Sequence, residues 1–155
     1  MGSWIKLIDG SSKILSERRY VNTHEEIVSA LCSYNPIPNP GVMFRKSVVL
    51  LVGGYGTQLP EDYDLWFKML GHGKFYNVPE FLTSYRIHPQ GSKMNTARLQ
   101  QWGSLQIRWD NFKKGKVKLG FEMLIKNGVQ IGLLLLPAPV VLLAFRIAIK
   151  MGMIR

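Results

Sequence analysis

A mixed α/β layer is predicted for residues 3–90 of this 155-residue chain, and three observations predict it. Trp4-Ile5-Lys6-Leu7-Ile8 reads as a short strand, followed by a turn at Asp9-Gly10-Ser11-Ser12 and a return strand from Lys13 to Leu15. Thr23-His24-Glu25-Glu26 has the spacing of a capping box, with Thr23 as N-cap and Glu26 three residues on, so it opens a helix. Gly53-Gly54-Tyr55-Gly56 is a loop able to take positive φ, and beyond it Pro60 sets up a helix with Glu61 and Asp62 in its first turn.

The remaining elements follow in chain order. Ile27, Val28, Ala30 and Leu31 form the apolar stripe of the first helix. Asn35-Pro36-Ile37-Pro38-Asn39-Pro40 is irregular, because alternate prolines remove donors and fix φ. A strand is expected at Val42–Phe44 and a short apolar helix at Ser47–Val52. In the helix that begins at Glu61, Leu65 and Met69, like Trp66 and Leu70, recur at i, i+4, and Gly71 ends it. Phe75–Asn77 and Phe81–Ile87 read as later strands, on which Arg86 and His88 share a face. A polar, basic helix is expected from Asn95 to about Lys114, then a second helix to about Lys126 closed by Asn127-Gly128. The organisation expected is residues 1–90, a basic helical connector over 91–128, and an apolar tail over 129–155.

Net charge is +10, from 20 basic and 10 acidic residues, which invites phosphorylated ligands or an anionic membrane surface. The lone cysteine, Cys32, excludes an intrachain disulfide. The run from Ile131 to Ile149 is broken by Pro137 and Pro139 and cut by Arg146. It therefore suits an interfacial helix pair, bent at the prolines, better than a spanning helix. Nucleic acid is not an expected partner, since aromatics and cations are not interleaved along a strand as a stacking platform needs.

The stretch from Gly53 to His88 resembles the C-terminal half of the catalytic domain in bacterial glycosyltransferases of family 2, the GT-A fold. Members carry a glycine loop, an E-D-Y-x-L-W helix start and a Y-R-x-H strand end, in that order. Here these stand as Gly53-Gly54-Tyr55, Glu61-Asp62-Tyr63-Asp64-Leu65-Trp66 and Tyr85-Arg86-Ile87-His88. Pro40-Gly41-Val42-Met43-Phe44-Arg45-Lys46 is similar to the strand that leads into the loop. The resemblance implies a partial GT-A fold lacking its N-terminal nucleotide-binding half, followed by C-terminal helices. It implies inverting transfer of a sugar from a nucleotide-sugar donor to a saccharide or lipid-linked acceptor, in cell-envelope polysaccharide biosynthesis. The setting implied is peripheral, on the cytoplasmic side of the bacterial inner membrane. Mn²⁺ or Mg²⁺ is the implied cofactor, with its main aspartate ligands outside this chain, which is expected to be inactive alone.

Such a transfer needs a base for the acceptor hydroxyl, positive charge for the leaving diphosphate, and positioning groups. Carried over residue by residue, the resemblance makes Asp62 the base with Glu61 beside it. It makes Gly53, Gly54, Tyr55, Trp66 and Arg86 substrate-binding, and His88 a metal ligand. A first-turn position favours the carboxylate anion, while burial beside Trp66 and Tyr63 opposes it. Asp62-Tyr63-Asp64 also spells D-x-D, but on a helix i and i+2 point to nearly opposite sides, so the pair does not grip one ion. Asp64 is expected at the surface or supporting the site, and His24 and His72 at the surface. Gln106-Ile107-Arg108-Trp109 falls one residue short of the Q-x-x-R-W of processive members. The alternative reading is a non-catalytic basic module that binds membrane surfaces through the tail and the lysine cluster, which leaves the glycine loop and Glu61-Asp62 unexplained.

Overall fold

Strand β1 (Gly2–Ile8) is the centre of a three-stranded sheet in a computed structural model that describes residues 1–87, 92–117 and 120–136. β2 (Ile14–Arg18) pairs with it antiparallel, and β3 (Asn77–Arg86) pairs with it parallel on the other side. β1 is buried along most of its length because it has a neighbour on each edge. The β1–β3 register shifts between Ser3, Trp4 and Ile5, where Pro79 and Glu80 are passed over. An edge strand with a bulge tolerates such a proline. Two separate strands at Phe75–Asn77 and Phe81–Ile87 are thus replaced by one.

Helix α1 (His24–Leu31) starts at the expected capping box: Thr23 accepts from the Glu26 amide, and the Glu26 carboxylate accepts from the Thr23 amide. Ile27 and Leu31 are fully buried. The proline loop after it is packed rather than loose, with Pro36, Ile37 and Pro38 buried. Val42–Phe44 is not a strand. Met43 exchanges backbone hydrogen bonds with Met1 alone, so no ladder can propagate. Helix α2 (Lys46–Leu51) follows, and α3 (Glu61–Met69) starts after Pro60 and ends before Gly71 at φ 87°. Tyr63, Leu65, Trp66 and Phe67 of α3 are buried, and Met69 is half-buried.

Helix α4 (Ser92–Lys113) belongs to the same compact unit, Met1–Leu119. Its Gly103, Ile107 and Asn111, spaced i, i+4, i+8, are buried. A Cβ on Gly103 would lie 1.6 Å from the Leu59 carbonyl oxygen, so the absence of a side chain there sets how closely α4 approaches the loop before α3. The second unit, Gly120–Arg155, contains α5 (Phe121–Leu135). This helix runs through Asn127-Gly128, where the sequence predicts a stop. A glycine inside a helix costs only about 1 kcal/mol, too little on its own to end it. It ends at Leu136, whose ψ of 145° is what a residue ahead of proline adopts. The bend expected at Pro137–Pro139 and the rest of the tail lie outside the described residues. No described helix is long and apolar enough to cross a membrane.

Candidate active site

Asp62, the second residue of α3, is half-buried and held at both oxygens. One accepts from the Asn35 side-chain amide at 3.0 Å, and the other from the Tyr63 backbone amide at 2.8 Å. Asn35 comes from the proline loop, where it also accepts from the Ile37 amide at 3.3 Å. The packing of that loop is therefore what aims its side chain at the carboxylate. Beneath Asp62, the buried Tyr63 donates its hydroxyl to the Leu31 carbonyl at the end of α1 and sets its ring edge-on to Phe67 at 5.2 Å. Burial pushes the Tyr63 phenol well above its ordinary value, so it stays neutral.

Two further tyrosines feel the Asp62 charge. Burial first, then the carboxylates of Asp62 and Glu61, push the Tyr55 phenol up; its hydroxyl donates to Asn39 at 3.0 Å. Tyr20 is also pushed up by burial, with the Asp62 charge a smaller contribution in the same direction. Asp62, Glu61, Tyr55, Tyr20, Asn35 and Asn39 therefore form one neighbourhood, with Tyr55 44% exposed at its open side.

The glycine loop has two functions built into its backbone. Gly53 and Gly54 take φ of 83° and 70°; the Gly53 amide donates to Leu50 and the Gly54 amide to Val49. This is a Schellman cap on α2, with Gly53 at the left-handed position. Both amides are thereby committed. Space beside each Cα is open, since an added Cβ would meet nothing within 4 Å. The loop is also fastened to α3. Asp64 pairs with Lys68 at 2.7 Å, and the Lys68 ammonium reaches the Gly54 carbonyl at 3.5 Å. A Cβ on Gly56 would lie 2.7 Å from the Asp64 carboxylate and 3.1 Å from the Lys68 nitrogen, so glycine there leaves room for the pair.

Other residues expected at the site lie elsewhere. Arg86 donates to the carbonyls of Asp9 (2.5 Å) and Gly10 (3.0 Å) and to the Ser12 hydroxyl (3.1 Å), locking the β1–β2 turn, where Ser12 has φ 67°. Its guanidinium is committed to the fold, not held open for phosphate. Hydrogen bonds from the Ser11 hydroxyl and the Lys13 and Ser11 amides, with Arg86 nearby, hold the Asp9 carboxyl below its ordinary range. Trp66 is 1% exposed and packs near Phe44 at 6.4 Å, so it supports α3 from within the core instead of lining open surface. His88 lies outside the described residues. His24 is not simply exposed: its Nδ1 accepts from the Phe75 amide at 3.1 Å, and the two rings stack.

Two structural residues escaped the sequence reading. Arg108, 4% exposed, donates to the carbonyls of Ser104 and Ser33, and burial lowers its pKa. Tyr63 is near enough to feel its charge, at the place where α4 packs on α3. Asn77, fully buried, donates to the carbonyls of Val21 and Pro36 and ties both loops beneath the site to β3. The only sequence hints were a polar residue at a strand start and an arginine in the Gln106–Trp109 run.

No family model matches the chain, and no solved structure matches it significantly. Curated relatives do. The chain is 32% identical over 112 residues to the O-antigen biosynthesis glycosyltransferase WbnJ of Escherichia coli, an alignment covering 70% of this chain and 44% of that protein. It is 27% identical over 111 residues to an uncharacterized glycosyltransferase of Haemophilus influenzae, covering 70% of this chain and 34% of the relative. It is also 28% identical over 95 residues to the UDP-Gal:alpha-D-GlcNAc-diphosphoundecaprenol beta-1,3-galactosyltransferase of Escherichia coli, covering 60% and 34%. The chain's relatives are glycosyltransferases, and it spans less than half the length of each of these three.

Among the described residues no three His, Cys, Asp or Glu side chains converge. Asp62 and Asp64 engage different partners, Asn35 and Lys68. The described donors therefore do not make a divalent-cation site, and no step below is routed through one.

Proposed function

We propose that this chain is the acceptor-side part of a family 2 glycosyltransferase of the GT-A type, with Asp62 as general base. The observation that carries the reading is the hold on Asp62. A carboxylate fixed at both oxygens on a packed helix start, beside a loop with open space at its glycines, is aimed rather than free. The kinship to glycosyltransferases supplies the reaction class.

In this reading an acceptor hydroxyl sits against the open side of the Asp62 neighbourhood, near Tyr55. As the hydroxyl oxygen attacks the anomeric carbon, its proton passes to Asp62, and the bond from that carbon to the nucleoside diphosphate breaks with its electrons on the diphosphate. One displacement inverts the anomeric configuration. Glu61 raises the local negative potential, Tyr55 borders the acceptor, and the Asp64–Lys68 pair keeps the glycine loop in register with α3. His88 would help hold a Mn²⁺ or Mg²⁺ ion, which would steady the charge on the departing diphosphate. The acceptor is a saccharide or a lipid-linked saccharide, and the enzyme works peripherally at the cytoplasmic membrane face.

The test is Asp62→Asn in protein that carries the donor-binding half. It keeps size and helix start but removes the base, a loss worth about 10²–10⁴-fold. A fall of that order in kcat with donor KM nearly unchanged is expected. A variant within a few-fold of wild type would remove Asp62 from the mechanism.

A further inference from the structure

Helix α2 leaves two leucines exposed at its C-terminal end. Lys46, Ser47, Leu50 and Leu51 form two i, i+4 rows and all are exposed, Leu50 at 68% and Leu51 at 71%. Val48, Val49 and Val52 are only half-buried on the inner side, and no residue of the helix is buried. Met43, just ahead of it, is 68% exposed, and the exposed Arg45 is its N-cap. Solvent is a poor match for such a helix face.

The pattern along the helix specifies what suits it. Two cations stand at one end and two leucines at the other, separated by about 6–8 Å at 1.5 Å per residue. That is the depth over which an interfacial element passes from headgroups to acyl chains, about 5–10 Å. A second copy of this chain, itself carrying +10, would bring like charge against Arg45 and Lys46. An anionic bilayer offers phosphate to the cations and hydrocarbon to the leucines at once.

We propose that α2 is a ridge that seats the protein on an anionic phospholipid membrane, with Leu50 and Leu51 in the acyl boundary and Arg45 and Lys46 among the phosphates. The ridge is distinct from the apolar tail and does not depend on the sugar-transfer reading. Its consequence is geometric. The Gly53–Gly54 cap follows the leucine end of α2 directly, so the loop beside Asp62 is held against the membrane.

The experiment uses the whole chain with an environment-sensitive fluorophore on Leu51→Cys; Cys32 is buried and the unsubstituted chain is the labelling control. With vesicles of phosphatidylcholine and phosphatidylglycerol, the emission should shift to the blue and be quenched by nitroxides in the acyl region. Pure phosphatidylcholine or high salt should weaken both effects. Leu50→Ser with Leu51→Ser should lower partition into the anionic vesicles about tenfold while leaving the thermal midpoint unchanged. Vesicles that carry the chain down while the probe stays in water would overturn the proposal. So would a blue shift without lipid that tracks protein concentration, which would mean a protein partner covers the ridge.

Discussion

Asp62 and Asp64 lie two residues apart and are used in opposite ways. Asp62 is turned to the proline loop through Asn35, while Asp64 is turned to the glycine loop through Lys68. Asp64→Asn therefore loosens the loop without removing the base. It should cost under about 1 kcal/mol in unfolding free energy, as half-exposed ion pairs do. In transfer assays it should raise acceptor KM several-fold and leave kcat within about tenfold of wild type. Steady-state kinetics on both variants separates them: equal losses in kcat at Asp62 and Asp64 would mean that neither carboxylate has the role assigned here. At this scale the sequence was informative where chemistry and spacing coincide, as with the diverging Asp62 and Asp64. It was silent on where long cations go. Arg86 and Arg108 both point to backbone carbonyls brought near by folding, and nothing local to either residue marks those carbonyls.

Helix starts were legible because caps are local. Thr23 and Glu26 satisfy each other within four residues, and hydrogen bonds from Thr23 and Asn22 hold the Glu26 carboxyl below its ordinary 4.5. A carboxyl whose folded pKa is depressed contributes stability above its unfolded value, and that contribution is lost as pH falls through the folded value. The gap in thermal midpoint between wild type and Glu26→Gln should therefore be open at pH 7 and close below about pH 4.5. A gap that persists at pH 3 would place the effect outside this ionisation. Packing between elements was not legible. Gly103 reads as a weak point in a polar helix, yet it is where α4 meets the Leu59 carbonyl. Gly103→Ala gains about 1 kcal/mol of helix propensity, but the overlap is with backbone, and overpacking of this kind costs about 1–3 kcal/mol. The clash should win, lowering the urea midpoint with m unchanged. A stabilised variant would show that α4 does not pack there. The absent strand at Val42–Phe44 has the same origin: an extended run becomes a strand only when a neighbour lines up beside it, and here only Met1 does.

Across the first unit, several described groups near Asp62 or once expected to bind phosphate are already engaged. The Gly53 and Gly54 amides cap α2, Lys68 is paired with Asp64, Arg86 locks a turn, and Arg108 is buried between helices. Asp62, fixed by the Asn35 amide and the Tyr63 backbone amide with Tyr55 beside it, suits the acceptor role proposed above better than a nucleotide site. The chain also spans 44% of the relative WbnJ, which leaves more than half of that protein's length unaligned. The proposed division of labour gives the acceptor to these residues and the donor to others. Titrated with nucleoside diphosphate sugars in a calorimeter, the 155-residue chain should bind no tighter than about 1 mM, a free energy near −4 kcal/mol. Protein that includes the donor half should bind in the micromolar range, and Asp62→Asn should leave that affinity unchanged, because the base acts on the acceptor. Micromolar donor binding by this chain alone would show that a phosphate site exists within it, and the division proposed here would fail.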